Sequence, residues 1–495
     1  MSNFESIISD HCVRLYNLCV FLVDKNNKDY ILNRRFLGKL HMESTWMEET
    51  LDSAGARHNE KWFPFREGVS AMKLFSSVTY DGMHVKNGFS HYELIAVQNN
   101  FVSDMRDVLE DLYLALVKIA DYLIKKAKKC GLYHIEDKIE KNDFVDIKID
   151  SLLDKNRKLR HISKPGRTLI YLATEFLNLK YDTIMFNKLH SLKVADYKEY
   201  FPDHISEEKL RLILVRFHNL QSLYDTYLSE SDIEVSDSRL KSLRGHISIV
   251  YHILKSATEF SHYYERHIVP RQNSLFFKRL LPMDANRLLE ITIDFFLYYF
   301  EYYFNAALDL CHNVINSYAE ISEREIPIPE YRGFHVRPSS LVSKIINYYG
   351  GYVSMEVNGK EYDPSTPLEL FRVNEEINAI KRVRIYNLIH NKEFENRPLE
   401  DLLKTFSDND EVVIYDDKFE SLERNEGESN QEFLKRGFAY LLATGKIDIK
   451  MDIKVKFKGD KRSLDDIETL ANSGYGEDKF GNNIALPKNL SYLKR

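Results

Sequence analysis

Apolar residues recur at helical spacing through most of the chain up to residue 326. A period of 3.6 residues is typical of an amphipathic helix. Ser206, a preferred N-cap residue, precedes one such stripe, and Glu207 and Glu208 occupy its first turn, where the helix dipole favours negative charge. The pattern predicts a large all-α N-terminal region. Its predicted helices include Phe101 to Leu123 and Ser206 to Tyr224, with others at about 167–188, 237–268 and 284–320.

Beyond residue 326 the pattern becomes mixed. Ile326 to Tyr331 is broken by prolines, as an edge strand is. Ser339 to Tyr349 has one apolar helical face, and glycines follow it, as they follow many helices. Tyr352 to Val357 alternates, and Asn358-Gly359 is a strong hairpin-turn signal. The fold class predicted is therefore α+β. The remaining predicted elements are strands at 360–362, 411–415 and 449–457 and helices at 367–390, 399–406 and 430–444.

The length and net charge of the chain restrict the classes of function that it can have. The chain has 495 residues, which is ample for two or three domains, and a formal net charge of −6, which argues against nucleic acid as a partner. The basic runs Lys125 to Lys129 and 154–167 are interpreted as solvated surfaces. Cys12, Cys19, Cys130 and Cys311 form no CxxC pair, which favours a reducing, cytoplasmic location.

No membrane partner is expected either. The most apolar stretch, Leu288 to Leu310, is interrupted by four acidic residues and is rich in tyrosine. A bilayer needs about twenty consecutive apolar residues. We therefore interpret this stretch as a buried helix of a bundle. The first residues also lack the basic start and apolar core of a signal peptide.

The segment Gly333 to Ser340 carries the clearest chemistry in the chain. A histidine that accepts a phosphoryl group must be neutral when it attacks, and it needs donors for the incoming anion. If a helix starts near Pro338, His335 lies just ahead of it, and the backbone amides of Ser339 and Ser340 face the anion. Arg337 adds a permanent cation with paired donors. These residues predict a phosphohistidine site.

This segment closely resembles the HPr family, the histidine-containing phosphocarriers of the bacterial sugar phosphotransferase system. The family pattern Gly-apolar-His-x-Arg-Pro is met by Gly333 to Pro338, and the family's Asn-Gly-Lys turn falls without a gap on Asn358 to Lys360. The resemblance implies an open-faced βαββαβα sandwich in which His335 is phosphorylated on Nδ1 and Arg337 stabilises the phosphate. It also implies an Enzyme I-like phosphoryl donor, sugar-specific acceptor proteins, a carrier rather than a true catalyst, and no cofactor.

The resemblance covers the C-terminal part of the chain and matches best over 326–371. We align Leu403 to Tyr415 with the family's approach to its last strand and 430–444 with its last helix, which leaves an insertion near 372–400. A competing alignment makes Lys381 to Tyr386 the last strand. The predicted domains are a helical domain at 1–322 with a candidate subdivision near 154–168, an HPr-like domain at 323–447, and a C-terminal extension at 448–495.

One regulatory position and a docking surface follow from the same alignment. Many Gram-positive members carry a regulatory serine where this chain has Thr366, and Pro367 next to it puts serine-type regulation in doubt. The family's docking surface falls on Leu368, Leu370 and Phe371. The alternative is that these side chains pack in the core.

Other chemistry is weaker. Glu259-x-x-His262 and Asp309-x-x-His312 each place a carboxylate and a histidine on one helical face, as bundle metal sites do, but further inward ligands are not identifiable, so no metal is predicted. His41, Glu48, Glu49 and His58 are interpreted as polar surface.

Two functions remain open for the whole chain. The first is a phosphocarrier or regulatory phosphotransfer protein phosphorylated on His335, with the helical region binding a partner. The second is a non-catalytic docking protein that keeps the HPr-like fold without using the phosphate. A helical-bundle enzyme with the HPr-like domain as its regulator lacks a visible catalytic set.

Overall fold

The chain forms two compact units in a computed structural model: a helical unit, Met1–Cys311, and a C-terminal unit, His312–Arg495. The sequence predicts the end of the helical domain at residue 322, eleven residues beyond Cys311, where the helical unit ends. Within the predicted subdivision near 154–168, residues 154–157 and 163–164 lie outside the described residues. The structure describes residues 3–95, 100–132, 139–144, 158–162, 165–186, 189–269, 280–390, 397–416 and 422–494.

The regular elements described in the helical unit are helices. The apolar stripe of the predicted Phe101 to Leu123 helix is buried; it consists of Phe101, Met105, Val108, Leu109, Leu112, Leu116, Ile119 and Leu123. Ser206 caps its helix by accepting a hydrogen bond from the Lys209 amide at 3.3 Å. Both features agree with the periodicity. The helices are α1 (Asn3–Val23), α2 (Lys28–Ile31), α3 (Arg34–Ser53), α4 (Phe63–Gly88), α5 (Phe101–Cys130), α6 (Pro165–Asp182), α7 (Tyr197–Tyr200), α8 (Glu207–Tyr227), α9 (Asp232–Ser236), α10 (Ser238–Tyr263), α11 (Ala285–Glu290), α12 (Tyr298–Ala306) and α13 (Leu308–Tyr318), the last of which runs into the C-terminal unit.

The aromatic-rich stretch near residue 300 is a buried part of the helical unit. A π-helical segment, Ile291–Leu297, joins α11 to α12, and Phe300 and Tyr303 are fully buried. Phe101 of α5 packs edge-to-face on Tyr303 with ring centroids 5.6 Å apart. The four acidic residues of this stretch are exposed or half-buried, so they lie on the more exposed side of a largely buried helical segment. Within the described residues, no helix combines the length and the apolar character that a membrane crossing requires.

The C-terminal unit contains an antiparallel sheet of four strands and a separate pair. Its strands are β1 (Ile321–Pro327), β2 (Val353–Val357), β3 (Lys360–Tyr362), β4 (Val412–Ile414), β5 (Ile447–Ile449) and β6 (Lys454–Asp460). Its further helices are α14 (Val336–Tyr349), α15 (Pro367–Ile389), α16 (Leu399–Asp408), α17 (Asn430–Ala443) and α18 (Lys461–Asn472). The large sheet has the order β1-β6-β2-β3, and β4 pairs with β5. The chain is therefore α+β, with helices dominant.

Strand β6 shows why the large sheet has one apolar face. Val455 and Phe457 are buried, and the lysines that alternate with them are more exposed. Successive side chains of a strand point to opposite faces, so this alternation separates a core face from a charged face. The core beneath it contains apolar residues of α14, α18 and the first half of α15.

The predicted hairpin turn is confirmed. Val357 pairs with Lys360, and Asn358 and Gly359 between them have φ values of 51° and 74°. Two positive φ angles at the centre of a two-residue loop match the twist of the adjoining strands. Asn and Gly tolerate this conformation better than other residues, which is why the pair is readable from sequence.

The last strand and last helix of the large sheet differ from our alignment. The predicted strand at 411–415 contains β4, but β4 pairs with β5 and not with the large sheet. The predicted helix at 430–444 contains α17, which packs with β4 and β5 in a second core. Strand β6 lies in the large sheet and α18 packs in its core, so 448–495 contributes to the fold and is not an extension of it. The inserted elements run from α16 to β5. The competing strand, Lys381 to Tyr386, lies within α15.

Candidate functional site

The loop before α14 is held in place by α15. Asn374 accepts a hydrogen bond from the Phe334 amide at 2.9 Å and donates one to the Arg332 carbonyl at 3.1 Å. Gly333 lies between them with φ +61°, and a Cβ there would come within 2.2 Å of Asn374 Oδ1. Glycine is therefore required for conformation and for space. Asn374 positions the segment that presents His335, and no sequence motif had identified it.

His335 is the N-cap residue of α14, and this corrects the predicted helix start. The helix begins at Val336, so Pro338 is its third residue. The Ser339 amide donates to the His335 carbonyl at 3.1 Å, and the Ser340 amide belongs to the same helical ladder. Neither faces an incoming anion. The amides that helix geometry leaves without an intrahelical acceptor are those of Val336 and Arg337.

Both nitrogens of the His335 imidazole face acceptors. Nδ1 lies 3.1 Å from the Gly333 carbonyl oxygen, and Nε2 lies 3.0 Å from a carboxylate oxygen of Glu477. The ring of Tyr331 packs edge-on at 5.3 Å between centroids, and a quarter of the His335 side chain is exposed. A neutral imidazole has one N–H and an imidazolium has two. This arrangement therefore satisfies both acceptors in the protonated form, and one contact must open for the ring to act as a nucleophile.

Arg337 and His335 both contact the segment that follows α18. The Nε of Arg337 donates to the Gly476 carbonyl at 3.1 Å, and Glu477 is the next residue. Gly474–Gly476 forms a tight turn in which Tyr475 has φ +56° and donates its hydroxyl to the Pro327 carbonyl at 2.7 Å. Glu477 was not predicted as a site residue, because 142 positions separate it from His335 in the sequence. The two glycines around Tyr475 were the available signal of an unusual turn.

The predicted regulatory and docking residues lie at the start of α15. Thr366 is an exposed N-cap residue that makes no side-chain cap hydrogen bond. Leu368 and Phe371 are 61% and 36% exposed, and Leu370 between them is fully buried. Leu368 and Phe371 therefore contribute to a surface, and Leu370 is part of the core.

The two carboxylate–histidine pairs considered for metal binding engage other groups. His262 Nδ1 lies 3.0 Å from Glu207, and His312 Nδ1 lies 2.8 Å from the Gly350 carbonyl oxygen. In the part of the chain that the structure describes, no three or more His, Cys, Asp or Glu side chains are grouped so that they could hold a metal ion.

The helical unit has a polar cavity of about 1040 Å³ between α3, α4, α8 and α10. Glu48 lies in its wall and is buried, which corrects its interpretation as surface; Glu49 and His58 are exposed as predicted, and His41 is half-buried. Arg66 bridges Glu48 and Asp52, at 2.8 Å from each. Further lining residues are Arg57, Lys73, Arg211, Glu259, His262, Arg266 and His267.

The carboxylates of this cavity are held in their charged form by their neighbours. Burial raises the pKa of Glu48, but hydrogen bonds from Lys73 and Ser70 outweigh it, so the pKa lies below its ordinary value. A hydrogen bond from Arg66, with another from Arg57, holds the pKa of Asp52 well below its usual range. These charges therefore neutralise one another within the wall.

Comparison with known proteins adds no relative. No protein-family model matches this chain, no curated protein matches it, and no solved structure matches it. Its function therefore has to be inferred from the residues and contacts of the candidate site.

Proposed function

We propose that the C-terminal unit is an HPr-like phosphocarrier of a phosphoenolpyruvate-dependent sugar phosphotransferase system, acting in the cytoplasm and phosphorylated on His335. The donor would be an Enzyme I-like protein, and the acceptors would be sugar-specific proteins of that system. The unit carries a phosphoryl group and returns it, so it is a stoichiometric carrier rather than a catalyst. The helical unit would bind a partner or respond to the phosphorylation state.

The order of elements supports the proposal. From β1 to α15 the chain runs βαββα, and β6 with α18 adds the final βα. The inserted helices and the β4–β5 pair fall between these parts and have a core of their own. An insertion of this kind leaves the βαββαβα order implied by the resemblance intact.

The observation that carries the proposal is a partly exposed imidazole at the start of a helix, next to an arginine. The Val336 and Arg337 amides belong to the first turn of α14, where unpaired N–H groups and the helix dipole attract anions. One guanidinium nitrogen of Arg337 binds Gly476, and the two terminal nitrogens have no partner within the described residues. They are the natural donors to a phosphoryl group on His335.

Phosphorylation by Enzyme I tests the proposal. The full-length protein is incubated with phosphoenolpyruvate and Enzyme I, and the adduct is tested for the lability in acid and stability in alkali that mark phosphohistidine. We expect one phosphoryl group per chain in the wild type and none in His335→Ala.

His390→Ala is the matched control, because His390 is an exposed histidine of the same unit. It should be phosphorylated like the wild type. Absence of an adduct in a folded wild-type protein, or an adduct of equal amount in His335→Ala, would contradict the carrier function.

The exposed pair on α15 favours a second candidate, a docking protein that does not use the phosphate. Leu368 and Phe371 are three residues apart and therefore share one face of the helix. In that case a partner should bind His335→Ala as tightly as the wild type, and Leu368→Glu should weaken binding without changing the fold.

A further inference from the structure

We propose that Glu477 is the positioning residue of His335: its carboxylate holds the Nε2–H of the imidazole and so directs phosphorylation to Nδ1. This inference rests on the proposed function and adds a residue that neither the sequence motif nor the resemblance supplied. Glu477 does not touch the phosphoryl group and acts through the ring that it orients.

The two contacts of the imidazole differ in strength. Nε2 faces a carboxylate at 3.0 Å, whereas Nδ1 faces a neutral backbone carbonyl at 3.1 Å. Hydrogen bonds to an ionised acceptor are roughly twice as strong as those between neutral groups. The Gly333 carbonyl also accepts the His335 amide at 2.8 Å, so it keeps a partner when Nδ1 leaves. Nδ1 is therefore the nitrogen that is released at lower cost.

Glu477 is placed to keep this role, because its own surroundings are fixed. Its side chain is 7% exposed, compared with 25% for His335. Its amide donates to the Gly474 carbonyl at 3.0 Å, and the Ile484 amide donates to the Gly476 carbonyl at 2.9 Å. The Tyr475 hydroxyl ties the same turn to the end of β1. A buried carboxylate on an anchored turn orients a histidine as the aspartate of a catalytic triad does.

The transfer step then has a defined proton balance. The ring attacks in its neutral form, with its proton on Nε2 opposite Glu477 and a lone pair on Nδ1. The Nδ1 lone pair attacks the phosphorus of a donor with an N–P bond, the new Nδ1–P bond forms, and the old bond breaks with its electron pair remaining on the donor nitrogen. The ring keeps its Nε2–H and becomes positively charged, and the Glu477 carboxylate opposite that proton stabilises this charge.

Phosphoramidate is a suitable probe, because it has an N–P bond, releases ammonia and needs no protein donor. The full-length wild type, Glu477→Gln and Glu477→Asp are treated with it, and phosphorus NMR distinguishes the Nδ1 and Nε2 isomers of phosphohistidine. We expect the Nδ1 isomer alone in the wild type, dependent on His335. Glu477→Gln should react at least ~10-fold more slowly and form both isomers, and Glu477→Asp should restore most of the selectivity.

Glu330→Gln is the matched control, since Glu330 is an exposed carboxylate five residues before His335. This substitution changes the net charge by the same amount as Glu477→Gln does. It should behave as the wild type does. Wild-type rate and isomer ratio in Glu477→Gln would overturn the inference and leave the carrier function standing. Failure of the wild type to react with both phosphoramidate and Enzyme I would overturn both.

A second measurement needs no phosphoryl donor. Nitrogen-15 shifts of the His335 ring, assigned by comparison with His335→Gln, report which nitrogen carries the proton when the ring is neutral. The wild type should carry it on Nε2, and Glu477→Gln should shift the population toward Nδ1–H. An unchanged tautomer population would contradict the role assigned to Glu477.

Discussion

Two histidines, one in each unit, show how differently the chain uses the same side chain. His246 of α10 is fully buried, its Nδ1 lies 2.9 Å from the Tyr303 carbonyl oxygen, and its Nε2 accepts the Ile95 amide at 3.2 Å. One donor and one acceptor define a neutral ring, and burial lowers the pKa of His246 to about 4. His335 faces two acceptors and is partly exposed. The partners of the two ring nitrogens, rather than the residue type, decide whether a histidine is structural or available for chemistry.

Two arginines, one in each unit, differ in the same way. In the cavity wall, Arg66 has a carboxylate on either side and is buried. At the candidate site, Arg337 contacts a single carbonyl oxygen in the described structure. A high density of charge therefore does not by itself mark a site for anion chemistry. Donors that lack a protein partner are the more informative feature.

The largest expected effect comes from removing a buried arginine that pairs with two carboxylates. Arg66→Met leaves Glu48 and Asp52 side by side without their shared cation, and breaking a buried pair in this way costs about 3–5 kcal/mol. Trp46 and Trp62, the two tryptophans of the chain, both lie in the helical unit, so fluorescence during denaturant unfolding reports its stability.

Arg57→Met is the control for this prediction. Arg57 also pairs with Asp52, but its side chain is 60% exposed, so its loss should cost less than about 1 kcal/mol. Equal losses for the two variants would mean that burial does not separate structural charges from solvated ones, and the comparison above would fail.

A smaller effect should appear as pH dependence. An unfolded histidine has a pKa of about 6.5, so between pH 6.5 and 5 the unfolded chain binds a proton at His246 that the folded chain, with its pKa near 4, does not. Stability should therefore fall as the pH falls through this window, by about 2 kcal/mol for this residue. His246→Gln should remove that share of the slope, as measured by unfolding at both pH values. If the free energy of unfolding depends on pH equally in variant and wild type, the buried ring of His246 takes up its proton in the folded chain as it does in the unfolded one.

The smallest effect on stability, and the clearest on function, is expected at Arg337. Arg337→Ala should change the free energy of unfolding by less than about 1 kcal/mol, because the side chain makes one hydrogen bond to a carbonyl. Phosphorylation of His335 by Enzyme I should nevertheless slow at least ~10-fold, since a donor to the transferred group is lost. Arg337→Lys should fall between, because lysine keeps the charge without the paired donors. A full rate in Arg337→Ala would remove this residue from the site.

Local signals predicted the elements better than their partners. The apolar stripe of α5, the N-cap at Ser206 and the turn at Asn358-Gly359 all depend on residues within a few positions of one another, and each was readable. The sequence did not show which strand is the last one of the large sheet. β4 and β6 are both partly apolar, and which of them joins the large sheet depends on pairing with β5 or with β1 and β2.

The residues of the candidate site also differ in whether a local sequence pattern identifies them. His335 and Arg337 lie within three residues in a recognisable segment. Asn374 contacts the backbone of that segment and Glu477 contacts the imidazole, and both belong to distant parts of the chain. The start of α14 was misplaced by two residues, because proline is accepted anywhere in the first turn of a helix.

The amino-acid sequence by itself determined the α+β class, the helical periodicity and the presence of a histidine and an arginine at the start of an apolar helix, because each depends on short-range spacing. Tertiary structure alone decided which strand completes the large sheet, which backbone amides are left unpaired, and that a carboxylate from the far end of the chain faces the imidazole. Such contacts depend on how distant segments pack together, and no local pattern encodes that packing.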